Sequence, residues 1–239
     1  GLSIVRKRAD GFHDLESVFY PVGIHDALEF VESSEMTFTS SGLNVSGAST
    51  DNLVWKAYQM LKNDFPSLPN INIHLLKRIP MGAGLGGGSA DAAFMLSMLN
   101  HFGKLGLSIE QLKSYALSLG SDCPFFIINK PCLATGRGEQ LYPIDLDLSA
   151  YHIVLALSNI HVNTREAFSM IVPAKPEADV SAVIQLPVQE WRENLQNDFE
   201  VPVFRKHPVL QTIKENFYLA GATYSAMSGS GSTLYALVE

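Results

Sequence analysis

The feature that most narrows what this 239-residue chain can fold into is "PMGAGLGGGSADAA", Pro80 to Ala93. Five glycines fall within seven residues, Gly82 to Gly88, behind an alternating apolar run and ahead of a helical pattern. Glycine loses more backbone freedom on ordering than any other residue, so such a cluster needs a reason. Either it is a long turn, or a ligand must come close to the peptide groups. Gly82, Gly84 and Gly87 spell G-x-G-x-x-G, the spacing of a dinucleotide loop. That fold requires a second parallel strand after the helix, ending in an acidic residue that holds the ribose. Here "HFGKLGLSIEQLKSYALSL" follows instead, a turn and another helix. No Gly-Lys-Ser/Thr follows the glycines, which excludes a Walker-type loop. What survives is the physics common to both. Successive glycine N–H groups form an anion nest, and the positive end of the next helix points into it. The stretch is expected to bind phosphate.

Around it, the chain reads as strands first: Leu2 to Val5, Ser17 to Val22, Ala27 to Val31 and Met36 to Thr39. Asp51 to Asn63 turns helical behind an Asp51 cap, and "NINIHLL" (70 to 76) alternates as a strand leading into the glycines. Ser89 to Asn100 is predicted as a helix with a stripe of Ala92, Ala93, Leu96 and Leu99. The next helix has capping-box spacing at Ser108 and Gln111, and Gly120 stops it. "CPFFII" reads as an apolar strand, and "IDLDLSA" (144 to 150) as a boundary before the strand "YHIVLAL". A polar stretch containing Pro173, Pro176 and Pro187 follows, then a helix opened by Pro208 and closed near Gly221. "YSAMSGSGSTLYALVE" reads as strand, glycine turn, strand. Strands followed by helices, without strict alternation, favour α+β over a doubly wound sheet.

With 46% hydrophobic and 17% charged residues the chain has material for a core. Its net charge of -7 and lack of a basic stripe count against nucleic acid. No apolar stretch reaches the ~20 residues of a membrane span. Cys123 and Cys132 lack metal-like spacing, so they read as reduced thiols and the location as cytoplasmic. The first residues, "GLSIV", and the last, "STLYALVE", both read as strand interiors, so both ends look cut.

"PMGAGLGGGSADAA" resembles the phosphate-binding motif of the GHMP kinases, the superfamily of galactokinase, homoserine kinase and mevalonate kinase. Two further stretches resemble the branch acting on a CDP-linked methylerythritol: "KRADGFHDLESVFYPVGIHD" (7 to 26) and "LGSDCPFF" (119 to 126). "DNLVWKA" (51 to 57), "IHVNTREAF" (160 to 168) and "MSGSGST" (227 to 233) follow in the family's order. The resemblance implies an N-terminal domain like the second domain of ribosomal protein S5 (1–148) and a ferredoxin-like C-terminal domain (149–239), incomplete at its end. It implies transfer of the γ-phosphate of ATP, with Mg2+, to the 2-hydroxyl of that substrate in the non-mevalonate isoprenoid route. A monomer or homodimer, without nucleic-acid or membrane partners, is expected.

The same resemblance assigns roles residue by residue. Asp122 would accept the proton of the acceptor hydroxyl; read by itself, an Asp in this context is more often a turn former. Phe12 and His13, in the polar turn "RADGFHD", would hold the cytosine, by ring stacking and by hydrogen bonding. Without the resemblance they could equally be a packing Phe and a solvated His. Phe168 would supply the opposite stacking face, with Asn163 and Thr164 as polar contacts. Asn52 and Lys77 fall where the family's adenine contacts lie, although a lysine side chain at a strand end reads as a solvated charge. Pro80, Gly82, Ala83, Gly84, Leu85, Gly86, Gly87, Gly88 and Ser89 would cradle the donor phosphates.

Three departures qualify the match. The family usually has Tyr where Phe12 stands, so the stacking face is kept and the hydroxyl lost. Gly87 and Gly88 stand where many GHMP kinases carry serines, leaving Ser89 as the first hydroxyl. The branch also pairs its catalytic Asp with a Lys upstream of "GLSIV", and a polypeptide lacking it is expected to lose most activity. The rival readings are a homoserine- or mevalonate-type kinase and a non-catalytic RNA-binding module.

Overall fold

The structure, a computed structural model, describes residues 1–175 and 179–239, so Pro176 lies outside the described residues. The strands are β1 (Leu2–Lys7), β2 (His13–Phe19), β3 (Ala27–Ser33), β4 (Thr37–Gly42), β5 (Asn70–Lys77), β6 (Cys132–Thr135), β7 (Gln140–Pro143), β8 (His152–Ala156), β9 (Tyr224–Met227) and β10 (Leu234–Val238). The helices are α1 (Leu53–Asp64), α2 (Gly87–Phe102), α3 (Ile109–Leu119), α4 (Cys123–Ile128), α5 (Thr164–Ser169), α6 (Val180–Val183), α7 (Trp191–Asn194), α8 (Glu200–Lys206) and α9 (Pro208–Leu219). The architecture is α+β, as the order of strands and helices implies.

The chain divides into two compact units that interleave in sequence. An inserted unit holds Gly23–Met81 and Gly86–Asn129; a host unit holds Gly1–Val22, Gly82–Leu85 and Lys130–Glu239. The cut expected near residue 148 divides the sequence, whereas these units divide space.

In the inserted unit, β5 is the middle strand of β3-β5-β4, antiparallel to β3 and parallel to β4. Its alternation buries Ile71, Ile73 and Leu75, the first two in one apolar cluster with α1 and α2. The apolar stripe of α2 (Ala92, Ala93, Leu96, Leu99) is fully buried, together with Val54 and Leu61 of α1. Asn52, not Asp51, caps α1: its Oδ1 accepts the Val54 N–H at 2.8 Å. The Ser108–Gln111 capping box of α3 forms in both directions. "CPFFII" is a helix, α4, and not the expected strand. Six residues, four of them Phe or Ile, carry no periodicity of their own. Pro124 in the first turn and Asn129 with φ +48° at the end supply the helix start and stop.

In the host unit, β1-β2-β6-β7 form an antiparallel sheet. The strand expected at Ser17 begins earlier, at His13, because β2 pairs with β1 as far as Lys7↔His13. A second sheet runs β8-β10-β9, with the C-terminal strand in its centre. Two apolar clusters serve these sheets, one around Ile4, Phe199 and Leu234, the other around Trp191, Tyr224 and Leu237. Cys123 and Cys132 are each buried, in the inserted and the host unit respectively.

Candidate active site

The glycines of the loop answer to different demands. Gly82, Gly84 and Gly86 have φ of +68°, +78° and +67°, which L side chains rarely adopt. A Cβ at Gly84 would stand 2.2 Å from the Ser228 carbonyl, while the Ser228 hydroxyl donates to the Gly84 carbonyl at 2.7 Å. Thr233 N–H donates to Ala83 O at 3.1 Å, so this half of the loop is pinned to the host unit's glycine turn. Gly87 is helical, but a Cβ there would meet Ile79 at 2.9 Å and Lys77 Nζ at 3.1 Å. Gly88 has no such excuse: nothing lies within 4 Å of its Cβ position. Its bareness keeps open the space beside the first turn of α2. The helix begins at Gly87, earlier than the predicted Ser89, and Gly86 gives it no side-chain cap. The N–H groups of that first turn are thus without intrahelical partners and point outward. Gly87, Gly88 and Ser89 together form the anion-attracting end of a 16-residue helix.

Beneath that end lies a buried charge cluster. Lys77 Nζ donates to Asp91 Oδ2 at 2.8 Å and to Asp26 Oδ2, and its side chain is 2% exposed. The solvated-charge reading of Lys77 is therefore corrected: the alternation that buries Ile71, Ile73 and Leu75 buries position 77 as well. A buried ammonium requires partners, and two carboxylates provide them. Its backbone carbonyl accepts the Leu43 N–H at 2.8 Å. Asp26 Oδ1 also accepts the N–H groups of Arg78 and Ile79, at 2.5 and 2.8 Å. Burial alone would push Asp26 up, but Lys77 and the two amides outweigh it and hold the carboxyl below its usual range. For Asp91 burial prevails over Lys77, and its pKa rises to about 6. Asp26 and Asp91 were missed in the sequence. Asp91 lies one turn beyond Gly87 on the stripe of α2, where a carboxylate is conspicuous.

Asp122 immediately precedes α4 with φ -85° and ψ -18°, and its side chain makes no capping bond. It is exposed at its own surface, yet the protein around it raises its pKa by desolvation, the combination found in a recess. α2 and α4 pack together; burial pushes the pKa of the Cys123 thiol up, and Ser89, in the first turn of α2, draws it partly back down. That packing brings the start of α2 alongside the start of α4, which Asp122 immediately precedes. Asn52 spends its Oδ1 on the α1 cap.

The aromatic residues assemble within the host unit. The His13 ring lies flat over Phe168, 5.0 Å between centroids and 19° between planes. Phe199 meets Phe168 edge-on at 4.9 Å. Of the two residues expected at the base, it is His13 and not Phe12 whose ring stacks directly on Phe168. Adjacent residues in extended chain project to opposite sides, so only one of the two can reach Phe168. Phe12 is 53% exposed and carries the Arg137 guanidinium 4.9 Å above its ring. Its loop is rigidly braced: Arg8 pairs with Asp10 and Asp14 at 2.9 Å each, and Arg8 N–H donates to Phe12 O at 2.8 Å. Asn163 caps α5 by accepting the Glu166 N–H at 3.1 Å, and Thr164 Oγ1 lies 3.0 Å from Ser230 Oγ. Arg8 and Arg137 were not foreseen as site residues. Gly136 and Gly138, flanking Arg137, were the available signal for a side chain displayed on a tight turn.

No helix among the described residues is long and apolar enough to cross a membrane.

Comparison with known proteins agrees with this geometry. Residues 52–130 match the GHMP kinases N terminal domain and residues 180–239 the GHMP kinases C terminal domain. The chain is 49% identical over 239 residues to 4-diphosphocytidyl-2-C-methyl-D-erythritol kinase of Parabacteroides distasonis, covering 100% of this chain and 88% of that one. It is 51% identical over 243 residues to the protein of the same name from Bacteroides thetaiotaomicron, with 100% and 88% covered. Among solved structures, a 4-(cytidine 5'-diphospho)-2C-methyl-D-erythritol kinase superposes with a TM-score of 0.86 at 30% identity, over 100% of this chain and 86% of that one. A homoserine kinase from Cytophaga hutchinsonii, with a TM-score of 0.60 at 15% identity over 94% of this chain and 76% of that one, shares the fold.

Proposed function

We propose that this chain, which belongs to the 4-diphosphocytidyl-2-C-methyl-D-erythritol kinases of the GHMP superfamily and is thus a small-molecule kinase, transfers the γ-phosphate of ATP to the 2-hydroxyl of that CDP-linked alcohol. The observation that carries the reading is the juncture of α2 and α4. An uncapped helix start with open space at Gly88 packs against the helix that begins at a recessed Asp122, whose side chain makes no capping bond.

The chemistry follows from those parts. The outward N–H groups of Gly87, Gly88 and Ser89 hold the donor phosphates and spread their negative charge. Asp122 in its ionised form accepts the proton of the 2-hydroxyl as that oxygen bonds to the γ-phosphorus. The bond from γ-phosphorus to the β–γ bridging oxygen breaks, and ADP leaves. Among the described residues no cluster of three or more His, Cys, Asp or Glu could hold a metal ion. A magnesium ion belongs to the reading as a companion of the donor phosphates, which is how Mg2+ ordinarily enters kinase sites. When bound, it neutralises charge on the transferring group.

Recognition of the base falls to the aromatic residues. Cytosine takes the stacking position that His13 holds on Phe168, and His13 turns its ring nitrogens to the base's polar edge. Phe12 contributes a further ring face, and Asn163 and Thr164 contribute polar contacts at the start of α5. Asn52 and the backbone at Lys77 lie on the adenine side. The division at 148/149 marks the two ancestral domains, and the enzyme works in the cytoplasm.

Turnover of ATP with the CDP-linked alcohol, and with homoserine and mevalonate as alternative acceptors, tests the reading. Phosphorylation of the first alone, inhibited by CDP, is expected. Turnover of either simple acceptor without the CDP-linked one overturns it.

A further inference from the structure

The hairpin between β6 and β7 displays Arg137 between two glycines, Gly136 and Gly138, at φ +67° and +102°. It is built for one side chain. Leu15 N–H donates to Gly136 O at 2.7 Å, which ties the turn to β2. Glu139 Oε2 accepts the Arg137 N–H at 2.5 Å, and Glu139 Oε1 lies 3.8 Å from Arg137 Nε. A Cβ on Gly136 would fall 3.0 Å from Glu139 Oε2, so the turn leaves that carboxylate just enough room. Held this way, the guanidinium lies over Phe12 at 4.9 Å. Phe12 itself ends the loop that Arg8 braces through Asp10 and Asp14, with Asp10 Oδ1 accepting the Phe12 N–H at 3.1 Å. Backbone and ring are thus fixed from separate directions.

For the fold, a hairpin cation over an exposed phenylalanine is worth only ~0.5–1 kcal/mol. A cation on one face of an aromatic ring does two things: it fixes the ring plane, and it draws on the ring's negative face. We propose that Arg137 is a positioning residue for nucleotide recognition: it holds Phe12 so that the ring's other face stacks on the base of a nucleoside diphosphate. The inference deepens the proposed function and rests on it. Phe12 lacks the hydroxyl that a tyrosine would offer as an anchor, and Arg137 supplies the restraint instead.

Substitution of Arg137 by Met keeps the length and removes the cation. The expected result is a rise of about fivefold in KM for the CDP-linked alcohol, equivalent to ~1 kcal/mol. KM for ATP and kcat stay within about twofold, the scale of ~0.4 kcal/mol. Arg137→Lys recovers most of the loss. In a Phe12→Ala background the Arg137→Met change has no further effect. Calorimetric titration of the wild type and these four variants with CDP alone gives a readout independent of turnover. An unchanged or lower KM in Arg137→Met, or an equal loss with Phe12 removed, overturns the proposal. A wild-type enzyme that binds no CDP overturns the functional reading beneath it, and the two failures are told apart by that single measurement.

Discussion

The imidazole of His13 covers the face of Phe168 that a base would use, 5.0 Å away and nearly parallel. The pair is a ready-made stacking step whose outer member is exchangeable, because Phe168 is anchored separately by Phe199 at 89°. Removing the anchored Phe168 ring should therefore matter more than removing the polar atoms of His13. Base–aromatic stacking is worth ~1–3 kcal/mol, so Phe168→Ala is expected to raise KM for the CDP-linked alcohol by roughly 5- to 150-fold. KM for ATP should hold, and Phe168→Tyr should restore binding. Steady-state kinetics with each substrate varied in turn decides the matter, and an equal rise in both KM values would contradict it.

Asp122 is expected to act only as a carboxylate. Desolvation raises its pKa, so the acid limb of kcat should lie above the range of an ordinary aspartate. Activity falls as pH drops through that raised value. Asp122→Asn should lower kcat by about 10²–10⁴ and abolish the limb. A variant with the same acid limb as the wild type would show that another group titrates.

Asp91 makes stability depend on pH in the opposite sense from a salt-bridged surface carboxylate. Its pKa rises on folding from 3.8 to about 6, so between those values the folded state binds more protons than the unfolded one. Its contribution to stability falls as pH climbs through that window, and the whole cost stands above it. Asparagine keeps an acceptor for Lys77 and carries no charge. From about pH 4.5 to about pH 7.5, wild type should lose on the order of 2 kcal/mol relative to Asp91→Asn in denaturant melts. A difference that does not change with pH would refute the assignment.

Gly84 and Gly88 should respond in opposite ways to alanine. Gly84→Ala meets the Ser228 carbonyl and a left-handed φ, and should cost about 2 kcal/mol or more in stability. Gly88→Ala meets nothing and gains helix propensity of ~1 kcal/mol, so the fold should hold or improve. Its methyl group projects into the phosphate space, and KM for ATP should rise roughly tenfold, an effect of ~1.4 kcal/mol. Thermal melts beside kinetics separate the two; a Gly88→Ala enzyme with normal KM for ATP would mean the space is not used.

Much of this was legible beforehand because local signals agreed. The capping box of α3, the stripe of α2 and the strands β3, β5 and β8 each follow from spacing alone. Lys77 shows a signal present but overridden: period-two alternation placed it inside, while its charge suggested outside. The alternation prevailed because Asp26, fifty-one positions earlier, was there to receive it. That partner is a tertiary fact no local window contains. α4 was misread for a related reason, since a short apolar segment takes its state from what it packs against. The order Phe12 out, His13 in, was implicit in strand geometry once β2 was known to begin at His13.

The interleaving of the two units has a consequence for how the molecule comes into being. All but four residues of Gly23–Asn129 belong to the inserted unit, so its sheet and helices are complete once Asn129 has been made. The host unit must wait. β2 finds β6 only across the whole insertion, and β10, which pairs with both β8 and β9, is made after both of them. Contacts so distant in sequence form late, since the loop they close must be ordered first. The nascent chain thus carries a finished insert inside an unfinished host, and the half-pinned glycine loop receives its bonds from Ser228 and Thr233 only once those residues have been made, about a hundred positions after the insert.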